Sequence, residues 1–520
     1  MCERGFKTPI IALLLLLLLL LSGCLQPETS SGAGNQTAGA DPGADSGADT
    51  GTVALRIMVP GEASPDFERV REEAERRMAE EGLYLRIDME FVPWNDFGAR
   101  SRVALASGED VDLIFDAPWL HLNEMIESGY YEPLDVLLEQ YGQEIIAKRP
   151  RQMWDANRFE GKVMAIPLGV SHVMSHSYYI RKDIREKHGV PPIESYEDLI
   201  RFAYLVKEKE PGLIPIIAGG TRSQQLYSWA TFRHYHDDVH HIRPTQALDS
   251  SLMLYYEQNN GNVHNVFKEP DTPIRGWVRE ARKLYLDGMM HPDVLGIKDF
   301  QEAGMSGDVA IFPTGTFGVS GLAREKLRHN VPEGEFESVT FFNDTPGVNI
   351  SDFSQWNFIA VPVVSEHKEE AIRFLNWANR KENYDLLAYG LEGIHWEEAG
   401  EDRVRILSTR YNQPSFVWIW NPADDRIAVG DEKIEELSRF IRDVDNFVPD
   451  ILTGFQFDRT PVQAELELYN RIEAKYYTPL FNGVLDPETA WAQFEAEAGE
   501  ALERIELELE RQIHEFLEGR

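Results

Sequence analysis

The chain has 520 residues, enough for two to four ordinary domains, and its 43% hydrophobic content, 11% aromatic overall, excludes a mainly disordered protein. The 87 acidic residues outnumber the 51 basic ones and leave a net charge of −36, which excludes the positive footprint that nucleic-acid binding needs. The two cysteines, Cys2 and Cys24, both lie at the N-terminus, so the rest of the chain holds no disulfide scaffold, cysteine zinc site, iron–sulfur cluster or thiol nucleophile.

The first segment reads as a secretory signal peptide over residues 1–23. Arg4 and Lys7 form a positive start, and an apolar run dominated by leucine follows from Pro9 to Leu21. That run falls short of the roughly 20 apolar residues a membrane span needs. Leu21-Ser-Gly-Cys24 resembles the lipobox of bacterial lipoproteins, which implies lipidation of Cys24 and anchoring on the outer face of the cell membrane. Residues 24–51 are rich in Gly, Ala, Ser, Thr and Asp and read as a flexible tether. A coil of that length spans roughly 30 Å. A body so acidic is not expected to lie flat on anionic lipid.

Residues 53–115 read as a βαβαβ unit. A strand over 53–59 leads to a helix carrying Phe67, Val70, Ala74 and Met78 on one face behind Asp66. A second strand alternates through Leu83, Leu85, Ile87, Met89 and Phe91. A helix over 97–106 and a turn at 107–110 bring the chain to a third strand, 111–115. Strands alternating with helices imply a mostly parallel sheet, whose ligands bind beyond the carboxyl ends of its strands. Asp116 lands at that end, with Trp119 shortly after.

A second α/β pattern begins near Ile166, with a helix over 194–206, a strand over 213–218 and a helix over 274–286. A strand over 308–312 runs into the loop Pro313-Thr-Gly-Thr-Phe317-Gly318. Another strand, 357–362, precedes an amphipathic helix over 366–380. Trp418 and Trp420 alternate onto one face of an expected strand, which points to core packing. The tail, 491–517, reads as one long helix with Ala498, Leu502, Ile505, Leu509, Ile513 and Phe516 on one stripe.

Several stretches, in order, carry a family likeness. They are Phe91-Val-Pro-Trp-Asn-Asp-Phe97, Ala106-Ser-Gly-Glu-Asp-Val-Asp-Leu-Ile-Phe115, Glu132-Pro-Leu-Asp135, Phe159-Glu-Gly-Lys-Val-Met-Ala-Ile-Pro167 and Tyr179-Ile-Arg-Lys-Asp183. Gly304-Met-Ser-Gly-Asp-Val-Ala-Ile-Phe312, Glu369-Glu-Ala-Ile-Arg-Phe-Leu-Asn-Trp377 and Tyr389-Gly-Leu-Glu-Gly-Ile-His-Trp396 complete the set. Together they resemble the extracellular solute-binding lipoproteins of ABC importers, the large sugar-type binding proteins, over nearly the whole mature chain. The segment Ser171-His-Val-Met-Ser-His176 departs from the pattern.

The resemblance implies an α/β, two-lobe, periplasmic-binding-protein-like fold of type II, its lobes joined by crossing strands and closing on a ligand by a hinge. One lobe is expected from 52–167 plus about 356–398, the other from about 168–355 plus 399–520. It also implies a carbohydrate ligand, in the first place an oligosaccharide, and a partnership with ABC permease subunits. A monomer without cofactor or catalysis is expected.

Sugar sites use flat aromatic faces for the C–H patches of the ring and carboxylates or amides for its hydroxyls. The candidates are Asp116, Trp119, His172, Phe317, Trp356 and Trp396. Five of them have a named structural alternative: a cap or turn for Asp116, packing for Trp119 and Phe317, satisfied structure for His172, and a corner for Trp396. Two other readings stay open. One is a metal ligand, because His234, His236, Asp237, His240 and His241 form the densest histidine cluster. The other is a peptide or another non-sugar solute. The chain carries no HExxH, GxSxG, P-loop or GxGxxG signature of an enzyme.

Overall fold

The computed structural model describes residues 51–169, 172, 177–219, 242–244, 247–248, 251–269, 272–297, 299–314, 318–341 and 344–519. Cys24, Phe317 and the 234–241 histidine cluster lie outside the described residues.

Two sheets organise the body. The first runs in the order Leu85–Val92, Val53–Pro60, Leu113–Asp116, Asn357–Ala360, Ile166–Leu168. Its first three strands are parallel, and Asn357–Ala360 runs antiparallel to both of its neighbours. The connections explain the parallel pairing. Helix Phe67–Glu80 buries Phe67, Val70, Ala74 and Met78, the face expected from their spacing. Helix Trp94–Ser107 follows the second strand, starting three residues before its expected position. Pro93 sets that start, because its fixed φ suits a helix entry.

The second sheet runs Phe336–Thr340, Ser177–Arg181, Val309–Thr314, Ile214–Ile216. Period-two alternation divides its side chains between two cores: Tyr178 and Ile180 enter the larger, while Tyr179 enters a smaller one with Phe312 and Phe336. Helix Tyr196–Lys209 is closed by a capping box of Ser195 and Asp198.

Two large cores result. One surrounds the first sheet and continues past residue 398, through Tyr411, Val417, Trp418 and Ile419. The other surrounds the second sheet and takes in the C-terminal helices Gln463–Phe481 and Pro487–Glu518. The expected stripe on the last helix is buried at Ala498, Leu502, Ile505, Leu509 and Ile513, which are inaccessible to water, and half-buried at Phe516. Phe494 stacks on Tyr476 at 5.3 Å and meets Phe267 edge-on at 5.0 Å.

The expected strand around Trp418 and Trp420 is absent. Ser415–Val417 is one turn of 3₁₀ helix, and Pro414 just before it rules out a central strand. Trp418 is nevertheless core, and Trp420 is half-buried.

The chain belongs to the first core up to Leu168 and again from Phe358 to Ile419, and to the second from Tyr178 to Val339 and again from Leu452, so three connections join them. A small cluster of Phe353, Leu437, Ile441 and Phe447 lies along these connections. There Ile350–Ser351 pairs in parallel with Val448–Pro449.

Candidate functional site

Topology gathers aromatic residues at one end of the first sheet. Parallel pairing puts the carboxyl ends of Leu85–Val92 and Leu113–Asp116 on the same edge. Trp94 follows the former by two residues and Trp119 follows the latter by three. Asn357–Ala360 is antiparallel, with Phe358 opposite Asp116, so its start meets that edge and Trp356 precedes it directly. Three tryptophans from distant parts of the chain therefore converge where open α/β sheets place ligands.

All three rings face water: Trp94 is 45% exposed, Trp119 50% and Trp356 39%. They form a connected surface. Trp94 lies 6.3 Å from Trp119 at 33° and stacks at 18° on Phe416, 6.2 Å away. Phe416 in turn touches Trp420. The Trp119 indole N–H donates to the Trp356 carbonyl at 2.7 Å. That bond fixes the ring's tilt and uses its one donor, which leaves the π face as its contribution to a ligand. Exposed aromatic faces of this kind suit the apolar face of a sugar ring.

Beneath the platform is a buried polar chain. Asp116 is fully buried, and Tyr131 donates to it at 2.6 Å. His121 Nδ1 lies 2.7 Å from the same carboxylate, and His121 Nε2 lies 2.8 Å from Ser101 Oγ. Burial first, then the Asp116 charge, pushes the Tyr131 hydroxyl well above its ordinary pKa. Ser101, His121 and Asp116 have the atom order of a hydrolase triad, but Ser101 is inaccessible to water and donates to the Phe97 carbonyl. Their role is to pin the loop that carries Trp119. Asp116 thus sits under the platform, not on it.

Arg149 supports the other side. It is buried and donates to the carbonyls of Pro167, at 2.7 Å, and Trp420, at 3.0 Å, and to the Asn379 side chain. Burial pulls its pKa down to about 9. It ties the last strand of the first sheet to the loop that carries Phe416 and Trp420.

Trp396 and His172 lie elsewhere. Trp396 is 4% exposed, donates to the Gly390 carbonyl and carries the Arg426 guanidinium over its ring at 5.1 Å. It is the structural corner. His172 belongs to the small cluster between the cores, its ring edge-on to Phe353 and Phe447. Burial lowers its pKa to about 4, against the opposing pull of the Arg442 carbonyl and the Asp443 charge.

Trp94 and Phe416 were not singled out from the sequence. A signal for Trp94 existed in Pro93, which marks a helix start directly after a strand. Phe416 lies in a 3₁₀ turn that no periodicity announces.

Comparison with known proteins gives the context. The model of the bacterial extracellular solute-binding protein family matches residues 72–385, more than half of the chain. The chain belongs to this family. A second model, for a domain of unknown function (DUF3502), matches residues 451–518, the segment that contains the two C-terminal helices. A carbohydrate ABC transporter substrate-binding protein of Streptococcus pneumoniae is 22% identical over 85% of this chain and 87% of its own length. Among solved structures, the N-glycan transport solute binding protein NgtS of S. pneumoniae has a TM-score of 0.71 at 19% identity, over 90% of this chain and 99% of that one. An extracellular solute-binding protein of Bifidobacterium longum subsp. infantis has a TM-score of 0.61 at 14% identity, over 90% and 98%. This solute-binding protein therefore has the two-lobe α/β fold of the periplasmic binding proteins, with a long C-terminal helix.

Proposed function

We propose that this solute-binding protein captures an extracellular oligosaccharide and delivers it to the permease of an ABC importer. The observation that carries the reading is the platform of Trp94, Trp119 and Trp356 at the carboxyl edge of the first sheet, three exposed rings, with the Trp119 indole bonded to the Trp356 carbonyl. Names of relatives support it: the S. pneumoniae relative is a carbohydrate ABC transporter substrate-binding protein, and NgtS was solved with Man1GlcNAc.

In this reading the first lobe comprises residues 52–167 with about 356–420, and the second comprises about 177–340 with 452–520. The sugar stacks on the first lobe and the second closes over it. Only the closed state contacts the ligand from both sides, so binding shifts the population towards closure. Cys24 carries the lipid anchor, residues 25–51 form the tether, and the protein works as a monomer outside the membrane.

A thermal-shift panel tests this. Mono- and oligosaccharides, peptides and divalent metals are added in turn to the protein. A ligand that binds the native state raises the melting temperature, by RT ln(1 + [L]/Kd) in free energy. An oligosaccharide is expected to raise it. A shift with peptides or metals and none with any glycan would overturn the reading.

A further inference from the structure

We propose that His172 is the positioning residue of the hinge, bonding all three inter-lobe connections together and thereby setting how readily the lobes open. The inference rests on the two-lobe capture reading above.

All three connections meet at this one residue. His172 lies in the first. Its carbonyl accepts from Ser351 Oγ in the second. Its backbone N–H donates to the Ile441 carbonyl in the third, at 3.0 Å, and its Nε2 lies 3.0 Å from the Arg442 carbonyl. A carbonyl only accepts, so Nε2 carries the proton and Nδ1 is left as a bare lone pair. That Nδ1 is buried and has no partner among the described residues.

Packing alone does not call for a histidine here. The ring sits edge-on to Phe353 and Phe447, beside the cluster that contains Leu437 and Ile441. Phenylalanine would fill that space without burying an unsatisfied nitrogen, which carries a desolvation cost. What histidine adds is the Nε2–H bond to the third connection. It therefore trades some stability for a fixed angle between segments.

The neighbouring contacts point the same way. Gly169, just upstream, has no Cβ, and one built there would run into Gln355 Oε1 of the second connection. The Val448 and Asp450 amides of the third connection donate to the carbonyls of Asn349 and Ser351 in the second. The second connection then runs directly into Trp356, whose carbonyl holds Trp119. The hinge is thus covalently continuous with the platform.

The test uses the full chain and two variants. His172→Phe keeps the ring and loses the Nε2–H donor. His172→Gln keeps a donor at the same reach. Amide hydrogen exchange is followed in the hinge peptides holding Val448 and Asp450 and in the sheet strands Val53–Pro60 and Ser177–Arg181. His172→Phe should speed hinge exchange at least tenfold, leave both sheets at parental rates and keep or raise the melting temperature. His172→Gln should restore hinge protection. Parental hinge rates in His172→Phe, or equal loosening in both variants, would overturn the proposal. So would a lower melting temperature with all peptides loosened together, the mark of a merely stabilising residue.

A second arm titrates the proteins with a mannose–N-acetylglucosamine oligosaccharide, read by tryptophan fluorescence. His172→Phe should change Kd several-fold with the same saturating signal. An unchanged Kd in a parent that binds would count against the hinge role. A parent that does not respond at all would contradict the ligand reading, while the exchange result still decides the hinge.

Discussion

Trp119 lies in the turn after a strand and Trp396 opens the short strand Trp396–Glu398, yet one is 50% exposed and the other 4%. Both indole N–H groups are spent on backbone carbonyls, so hydrogen bonding does not separate them. The ring faces do. Arg426 covers Trp396, and Arg426 is itself held by the buried Asp385 at 2.8 Å. Nothing comparable lies over Trp119 among the described residues. A tryptophan is free for a ligand when a distant part of the fold leaves its face open, and that is decided outside its own loop.

The difference can be broken from the Trp396 side with the largest effect. Arg426→Met removes one partner of a buried ion pair and leaves Asp385 without it, a change that typically costs about 3–5 kcal/mol. Denaturant unfolding should register that loss, while Trp119 keeps its exposure to a fluorescence quencher.

The hinge histidine gives the next effect, with a definite sign. Its folded pKa of about 4 lies below the unfolded value of 6.5, so the unfolded chain binds the extra proton first. The contribution is fully present above pH 6.5 and is lost as pH falls towards 4. That loss amounts to about 3 kcal/mol. The charge that acts on it is Asp443, since Arg442 meets it through its carbonyl, and Asp352 stands next to Phe353 on the second connection. His264 works in the opposite sense. Burial lowers its pKa, but bonds to Glu269 and Glu257 outweigh that and raise it, so its contribution fades as pH rises past 6.5. The difference in stability between the parent and His172→Gln, followed from pH 7 to pH 4, isolates the hinge.

A smaller effect is expected at the crossing itself. Gly169→Ala forces the buried Gln355 amide aside and breaks its bond to the Phe353 carbonyl, at about 1–3 kcal/mol. Adding Gln355→Ala should recover part of that loss in the same unfolding assay. The smallest effect on stability belongs to the platform: Trp119→Ala should cost under about 1 kcal/mol, because its ring is half in water.

Much of this was legible beforehand because it is local. Periodicity located the helix with Phe67, Val70, Ala74 and Met78, the first two strands and the buried stripe of the last helix. The same alternation placed Trp119 and Trp356 beside strand ends. The rest depends on contacts between distant residues. The local sequence leaves Asp116 open between a ligand group and a cap or turn, because nothing in it reveals that Tyr131 and His121 saturate the carboxylate. Trp396 lost its role to Arg426. Trp94 escapes a reading that starts the helix at Phe97, three residues after its actual start.

The central claim is that exposed rings at the carboxyl edge of the first sheet hold a sugar. Calorimetric titration with mannose–N-acetylglucosamine oligosaccharides of the parent, Trp119→Ala and the double variant Trp94→Ala/Trp119→Ala tests it most directly. The account predicts binding to the parent, a loss on the order of tenfold for the single variant and a larger loss for the double, with unfolding unchanged within about 1 kcal/mol. Parental affinity in the double variant would contradict it, because the glycan would then be held somewhere else.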